Sequence, residues 1–427
     1  MNQVAAGQKP ANSLRVTLWI LLIVYIFNFL DRQIVNILAE PISRDLGLSD
    51  TQIGLMTGIA FAAFYTFLGI PIARYADRSS TNRVSLISIS LVIWSGMTAV
   101  SGMAQNFVQL LLARIGVGVG EAGCTPAAHS LIADLAPPEK RASAISFYSL
   151  GIPIGGLLGM VMGGLIADAY GWRIAFFVAG LPGILMALVV WWVLRDPRMS
   201  TVLETRQAAP TLSTKEAIRE VLSSRAFVYL MIAGSAAAFL GYGKATWTTI
   251  FFQRTHDLSP GDVGLWFGIG GGIAGVLGTW AGGWFADHYG KTNRRHVLTA
   301  PAIGMTVAIP IAIAAYWAQQ WWVALILIML PTVLNGLYLG PTYSCAQGLV
   351  PLRARAMAAA VLLFAQNLIG LGLGPLFFGI LSDFIKPMAG PDSVRYVLYG
   401  AAVMGLIPSF FFWRASLRLN EELDKKG

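Results

Sequence analysis

Hydrophobic and polar positions divide the chain into long apolar runs separated by short polar stretches. The runs reach about 20 residues, the length that crosses a bilayer as a helix. They are continuous rather than alternating, which favours helices over barrel strands. Because lipid admits only helices and closed barrels, we predict an all-α polytopic membrane protein. Its twelve transmembrane helices are expected over residues 16–39, 52–75, 84–104, 107–133, 142–168, 172–194, 226–252, 261–286, 296–317, 320–346, 356–383 and 394–414.

The overall composition supports this prediction. Hydrophobic residues make up 56% of the 427 residues and charged residues only 12%, about half the charged fraction of a typical soluble protein. No small-residue cleavage site follows the first apolar run, which continues into Asp31 and Arg32. We therefore interpret this run as a retained helix and not as a signal peptide.

The basic residues are concentrated on one side of the predicted membrane. The net charge is +9, from 30 Lys and Arg against 21 Asp and Glu. With twelve helices both termini lie on one side, and that side carries 22 of the 30 basic residues, whereas the opposite loops carry five. By the positive-inside rule the termini are cytoplasmic, in a plasma (inner) membrane. The charge excess thus reflects topology, and no nucleic-acid partner is expected.

A polar stretch divides the chain into two sets of six helices. We predict an N-terminal bundle at 1–194, a cytoplasmic connector at 195–225 and a C-terminal bundle at 226–427. The loop around Asp77 recurs around Asp287, 210 residues later, and the loop around Arg141 recurs around Arg355, 214 residues later. Two matches at nearly one offset indicate parallel six-helix repeats, the arrangement of a rocking transporter.

Several motifs resemble those of the major facilitator superfamily. The stretch from Gly283 to Lys291 is similar to its G-x-x-x-D-x-x-G-R/K loop, although the first copy of this loop has Ala73 at the position of the first glycine. Arg114, followed by spaced glycines, resembles the fourth-helix motif of that superfamily. The segment 151–156 resembles the fifth-helix motif of antiporters, with isoleucine replacing the glycine before the proline. The resemblance implies the twelve-helix fold of that superfamily.

A narrower resemblance involves the first and fourth helices. Asn28-Phe-Leu-Asp31-Arg32 together with Gly118-Val-Gly-Glu121-Ala is similar to the spinster family. Members of that family are lysolipid and sphingosine-phosphate transporters, so the resemblance implies a lipid-like substrate. Organic-anion symporters of the same superfamily also carry Asp-Arg in the first helix, which leaves a small organic anion as an alternative.

Five ionisable residues lie deep within predicted helices and sum to a charge of +1 when all are ionised: Asp31, Arg32, Arg114, Glu121 and Lys244. Such residues are costly in lipid and face the protein interior or water. Arg114 and Glu121 are seven positions apart and share one helix face. Asp31 and Arg32 point about 100° apart, so each needs another partner. Since first and fourth helices are neighbours in the superfamily, we expect Arg114 to accompany Asp31.

This group of residues predicts a proton site. A low-dielectric interior makes a carboxylic acid hold its proton more tightly, and a nearby arginine opposes this effect. The balance allows a carboxylate to load and unload a proton near neutral pH. We therefore predict proton coupling by Asp31 and Glu121, tuned by Arg32 and Arg114. The competing interpretation is a structural set of ion pairs.

Substrate contacts are predicted at both halves of the chain. Arg32 and Glu121 belong to the first half, while Lys244, the adjacent Tyr242 and Asn335 belong to the second. Asn335 occupies the position that matches Glu121 in the repeat, so the acidic site is expected only in the first half. The alternatives are a lysine that extends to the membrane interface and an asparagine that merely joins two helices.

Cytoplasmic loop charges are predicted to latch the outward-open state and to separate on the switch to inward-open. The alternative is that these charges only orient the chain in the membrane. The residues concerned are Asp77, Arg83, Arg141, Asp287 and Arg355.

The sequence therefore predicts a proton-coupled secondary active transporter that moves an amphipathic anionic or zwitterionic lipid-like substrate by alternating access. The alternatives are a proton-coupled symporter of a small organic anion, such as a sugar acid, and a broad-specificity drug/proton antiporter. No catalytic triad, metal-ligand cluster or phosphate-binding loop is visible, so we expect neither an enzyme, nor a metal, nor a cofactor other than the coupling proton. The expected partners are the lipid bilayer, the substrate and protons, and the protein is expected to be monomeric.

Overall fold

The computed structural model describes residues 13–78, 80–200, 214–351 and 354–424, which form helices and no strands. Eleven helical segments are long and apolar enough to cross a membrane. The last, Met357–Leu423, has 67 residues and would measure about 100 Å as one straight helix. Its direction changes at Gly390, whose φ is +56°, so it contains two passes. The twelve predicted transmembrane helices are therefore confirmed.

The twelve helices agree with the predicted segments in order and approximate extent. They are α1 Leu14–Leu46, α2 Asp50–Ala76, α3 Arg83–Ser101, α4 Phe107–Leu135, α5 Ser143–Tyr170, α6 Trp172–Val193, α7 Arg225–Thr255, α8 Pro260–Tyr289, α9 His296–Trp317, α10 Trp321–Gly348, α11 (355–389) and α12 (393–424). Several contain local breaks, and α11 includes a π-helical stretch, Gln366–Leu373.

Contacts divide the described chain into two compact units. Unit 1 contains residues 13–35 and 63–200, and unit 2 contains residues 36–62 and 214–424. A short helix in the predicted connector, Thr214–Ser223, begins unit 2, whereas residues 201–213 of that connector lie outside the described residues. The division into bundles at 1–194 and 226–427 stays a prediction, because residues 36–62 pack with unit 2.

Unit 1 is organised by glycines that bring helix backbones together. In α5, Gly151, Gly155 and Gly159 lie one turn apart and pack on α1. A Cβ atom at Gly155 would overlap the carbonyl oxygen of Ile26, and one at Gly159 would lie 2.7 Å from the carbonyl oxygen of Leu30. Small residues allow this close approach between membrane helices. The segment that resembles the antiporter motif thus fixes the position of α1 just before Asp31.

The glycines of α4 do the same against α3. A Cβ atom at Gly120 would lie 2.6 Å from the backbone nitrogen of Trp94, and one at Gly116 would lie 2.5 Å from Cε of Met97. Close packing of α3 on α4 therefore constrains both helices at the level where Arg114 and Glu121 occur.

In unit 2, the end of α1 and the beginning of α2 pack on α7 and α11. A Cβ atom at Gly54 would lie 2.6 Å from the carbonyl oxygen of Pro375. Pro41 has no N–H, so the carbonyl of Ile37 lacks its usual partner in α1. Gln253 Nε2 of α7 donates to that carbonyl at 3.1 Å. A side chain thus satisfies the group that proline leaves open.

Arg254 joins two buried carboxylates in the same part of unit 2, and we call Arg254, Glu40 and Asp50 the Arg254 clamp. The Arg254 guanidinium donates to Glu40 Oε2 at 2.7 Å and to Asp50 Oδ1 and Oδ2 at 3.0 Å. Ser382 Oγ also donates to Asp50, at 2.6 Å. Asp383 accepts bonds from the backbone N–H groups of residues 50 and 51, at 3.0 and 2.7 Å. The Arg254 clamp and the two backbone hydrogen bonds that Asp383 accepts attach the start of α2 to α7 and α11.

We expect Gly155→Ala to destabilise the protein by about 1–3 kcal/mol, because the added methyl group forces α5 away from α1. Thermal unfolding of the purified protein measures the change. The matched control is Gly156→Ala, whose Cβ atom would meet only Gln33 Cγ, at 3.7 Å. Equal effects of the two substitutions would contradict this account of α1–α5 packing.

We expect Arg254→Met to cost about 3–5 kcal/mol, because it leaves Glu40 and Asp50 buried without their shared cation. The control is Arg44→Met. Arg44 is a second arginine bonded to Glu40, and its side chain is 63% exposed. An exposed pair contributes at most about 1 kcal/mol. Unfolding midpoints that fall equally in both variants would refute the clamp.

Candidate functional site

Four helices of unit 1 bring ionisable side chains together away from solvent. Asp31 and Arg32 lie on α1, Arg114 and Glu121 on α4, and α2 and α3 contribute polar neighbours. Asp31 is 1% exposed, Arg114 2% and Glu121 0%. The four residues predicted from the sequence therefore lie in the same unit, three of them almost fully buried and Arg32 with 15% of its side chain exposed.

The shortest charged contact in this group joins α1 to α4. Arg32 Nε donates to Glu121 Oε2 at 2.7 Å. Two aromatic rings contact the same guanidinium, whose central carbon lies 4.5 Å from the centroid of Tyr65 and 5.1 Å from that of Phe29. Aromatic faces attract cations, so the rings hold Arg32 beside Glu121.

Asp31 has a different set of neighbours. Thr98 Oγ1 of α3 donates to Asp31 Oδ2 at 3.0 Å. Arg114 interacts electrostatically with both Asp31 and Glu121, so the expected Asp31–Arg114 relation is one part of a group of four charges. Two carboxylates and two arginines sum to zero when all are ionised. We call Asp31, Arg32, Arg114 and Glu121 the charge group.

Sequence reasoning missed Tyr65 and Thr98, which contact the charge group. Tyr65 stands among the aromatic residues of α2, and Thr98 is one of several hydroxyl-bearing residues of α3. Neither belongs to a recognisable motif. Only the spatial approach of α2 and α3 to α1 identifies them.

Two of the three substrate residues predicted in the second half line a cavity of unit 2. Lys244 and Asn335 lie on its wall together with Tyr338, in a volume of about 60 Å³. Tyr242 is 38% exposed and is not among the described residues that line this cavity. Tyr338 was not predicted, although its position three residues after Asn335 places both on one helix face.

Arg83, one of the predicted latch residues, is buried in an ion-pair network of unit 1. Its guanidinium donates to Asp196 Oδ1 at 2.5 Å and to Asp134 Oδ2 at 2.7 Å. Arg198 also binds Asp134, at 2.9 Å, and donates to the carbonyl oxygen of Asp77 at 3.4 Å. The sequence did not single out Asp134, Asp196 or Arg198.

The other predicted latch residues have simpler surroundings. Arg141 Nε donates to the carbonyl oxygen of Ala136 at 3.3 Å. The remaining three residues are exposed: Asp77, Asp287 and Arg355. A latch role for the five residues stays a prediction.

A polytopic helical fold with a buried, charge-balanced group is typical of membrane transporters. Residues 21–375 match the Major Facilitator Superfamily. The chain is 33% identical over 408 residues to an MFS-type efflux pump of Mycolicibacterium smegmatis, covering 95% of this chain and 93% of the relative. It is 28% identical over 279 residues to a hexuronate transporter of Bacillus subtilis, covering 64% of each chain.

A solved structure is similar over nearly the whole length. It is a bacterial homologue of the human lysosomal transporter Spinster in an inward-facing, unoccupied conformation, with a TM-score of 0.86, 31% identity and coverage of 97% of this chain and 99% of that one. The chain belongs to the Major Facilitator Superfamily and is spinster-like. The predicted fold, the spinster resemblance and the expectation of a transporter rather than an enzyme are confirmed.

We expect Arg32→Met to lower the free energy of unfolding by about 3 kcal/mol, because the buried Glu121 loses its ion-pair partner. In the double variant with Glu121→Gln, the loss should be smaller than the sum of the two single losses by about 1–3 kcal/mol. Thermal unfolding of the four proteins measures this coupling. Arg32→Met combined with Glu139→Gln, at an exposed residue, should be additive. Additivity in both cycles would contradict the ion pair.

Proposed function

We propose that the protein is a proton-coupled secondary active transporter of an amphipathic anionic or zwitterionic lipid-like substrate, of the lysophospholipid or sphingoid-phosphate type. The observation that carries this proposal is the buried Arg32–Glu121 ion pair within the charge group. Buried ion pairs contribute little to stability, and ionisable residues inside membranes are functional by default. A structural purpose alone is therefore a weak explanation of the charge group.

Protonation of Glu121 and binding of an anion to Arg32 each compete with the Arg32–Glu121 ion pair. A proton on Glu121 removes the negative charge that holds Arg32, so the guanidinium becomes available to an anionic group of the substrate. Conversely, an anion on Arg32 makes Glu121 easier to protonate. Each ligand thus favours the other, and the effect is reciprocal by thermodynamic necessity. Tyr65 and Phe29 keep the guanidinium in place while its partner changes.

The remaining residues of the charge group support this exchange. Asp31 keeps its Thr98 hydrogen bond and provides a second protonatable carboxylate. Arg114 faces both acids electrostatically, so it limits the cost of a negative charge at either. We assign proton coupling to the four residues of the charge group. We assign substrate contact to Arg32, Glu121, Lys244, Tyr242 and Asn335.

Two other substrate classes remain candidates because of specific relatives. A hexuronate transporter among them supports a symporter of a small organic anion, which would use the same link between proton and anion. An efflux pump among them supports a drug/proton antiporter. In that case a cationic drug would replace Arg32 as the partner of Glu121 and would compete with the proton.

The setting of this activity is also part of the proposal. We infer a plasma (inner) membrane location with both termini cytoplasmic, because 22 of 30 basic residues lie on the predicted inner side. The protein acts as a monomer in the bilayer, with the proton as coupling ion and no other cofactor. The five cytoplasmic residues Asp77, Arg83, Arg141, Asp287 and Arg355 stabilise the outward-open state.

In proteoliposomes, we expect an imposed proton gradient to drive accumulation of a fluorescent lysophospholipid by the wild-type protein. Glu121→Gln should abolish gradient-driven accumulation and retain exchange without a gradient, because an amide neither binds nor releases a proton. The control is Glu139→Gln, at an exposed residue, which should accumulate substrate as the wild type does.

The same vesicles separate the substrate classes. Accumulation of galacturonate but not of the lysophospholipid would replace the lipid substrate by a small acid. Gradient-driven movement of a cationic dye alone would establish the antiporter. Wild-type accumulation of any of these substrates that ignores the gradient would refute proton coupling.

A further inference from the structure

The cavity that Lys244 of α7 lines contains a positive charge that no described residue compensates. Lys244 is half-buried and forms no ion pair or hydrogen bond with any described residue. The described residues that line the cavity include no aspartate or glutamate. An unpaired cation that is partly removed from water attracts anions, so the arrangement favours an anion supplied from outside the chain.

Two further polar side chains line the same cavity and are available to bind a ligand. The Asn335 side-chain amide and the Tyr338 hydroxyl form no hydrogen bond with other described residues. An ammonium group offers three donors, an amide offers two, and a phenol offers one. Three half-buried hydrogen-bonding groups thus converge on one cavity. A concave, mostly apolar wall with a few convergent polar groups is typical of a ligand site, and these groups suit a ligand that accepts hydrogen bonds.

The cavity has room for such a ligand. Its volume of about 60 Å³ is several times the roughly 10–15 Å³ that a single water molecule needs, so a compact group such as a carboxylate or a phosphate fits. Leu240, Met305 and Pro408 form the apolar part of the wall. Gly241 borders the cavity with open space where a side chain would begin.

We propose that Lys244, Asn335 and Tyr338 form an anion subsite in unit 2 that contributes to the charge preference of substrate binding, in addition to Arg32 of the charge group, whose ion pair with Glu121 sets the response to protons. This inference deepens the proposed function and rests on it only for the claim that the bound anion is part of a transported molecule. The shared chemistry of the ligand is a carboxylate or phosphate group, whether on a lysolipid or on a small acid.

The test compares matched neutral and charged ligands on the full-length protein in detergent. Binding of oleoyl lysophosphatidylglycerol and of neutral monooleoylglycerol is measured by thermal shift at constant ionic strength, and galacturonate is compared with galactose in the same way. We expect Lys244→Gln to weaken binding of the charged ligand in each pair by about ten- to a hundredfold and to leave binding of the neutral ligand unchanged. Lys244→Arg should retain most of the preference. The matched control is Lys215→Gln, at an exposed residue of the short connector helix Thr214–Ser223.

A second variant tests the cavity without removing the charge. Gly241→Val should place a side chain in the open space beside Gly241 and weaken binding of the same charged ligands. The control is Gly271→Val, at another helical glycine with open space outside the cavity lining, which should leave this binding unchanged. Unchanged binding of charged ligands to both Lys244→Gln and Gly241→Val would overturn the subsite.

The outcomes for the two proposals are distinguishable. If neither the lipid nor the sugar acid binds the wild type, the proposed substrates fail, and inorganic phosphate then tests the subsite alone. Stabilisation by phosphate that Lys244→Gln removes supports the subsite, and stabilisation that persists in this variant overturns it. Glu121→Gln should keep the charge preference while losing proton coupling. Loss of the preference in that variant would show that the two functions are not separate.

Discussion

The cost of placing a charge inside a membrane protein is the constraint on which this structure depends. Asp31, Arg114 and Glu121 are almost fully buried, and a carboxylate in such surroundings must be paired, hydrogen-bonded or protonated. The Arg32–Glu121 ion pair and the Thr98–Asp31 hydrogen bond meet this requirement at one oxygen of each carboxylate. The packing of unit 1 serves the same end, because the glycines of α5 and α4 bring backbones close enough for these side chains to meet.

The two units satisfy the constraint in different ways. In unit 1 the charges balance within the charge group. Unit 2 buries one cation between two carboxylates at the Arg254 clamp and leaves Lys244 without a partner among the described residues. Asn335 stands where the repeat places Glu121 in the first half, so the second unit has a neutral hydrogen-bonding group at that position. The chain thus keeps the same repeated architecture but has different chemistry in each half.

Much of this arrangement could be predicted from the sequence, because hydropathy and rare intramembrane charges are local signals. The twelve helices and the four members of the charge group follow from such signals. Partners distant in the chain do not, since Arg32 and Glu121 are 89 positions apart and Arg254 and Glu40 are 214 apart. The sequence singles out neither Arg254 nor the carboxylates that it binds. Thr98 is similarly hidden, because a helical threonine commonly bonds its own backbone, as Thr57 bonds the carbonyl of Ile53.

The central claim is that proton binding and anion binding are linked through one ion pair, and binding affinity as a function of pH tests it most directly. Oleoyl lysophosphatidylglycerol is suitable because its phosphodiester stays ionised between mildly acidic and mildly alkaline pH. The account predicts that the wild type binds this ligand more tightly as the pH falls, and that binding to Glu121→Gln is tight and insensitive to pH. Wild-type affinity that is independent of pH, or an unchanged pH dependence in Glu121→Gln, would contradict it.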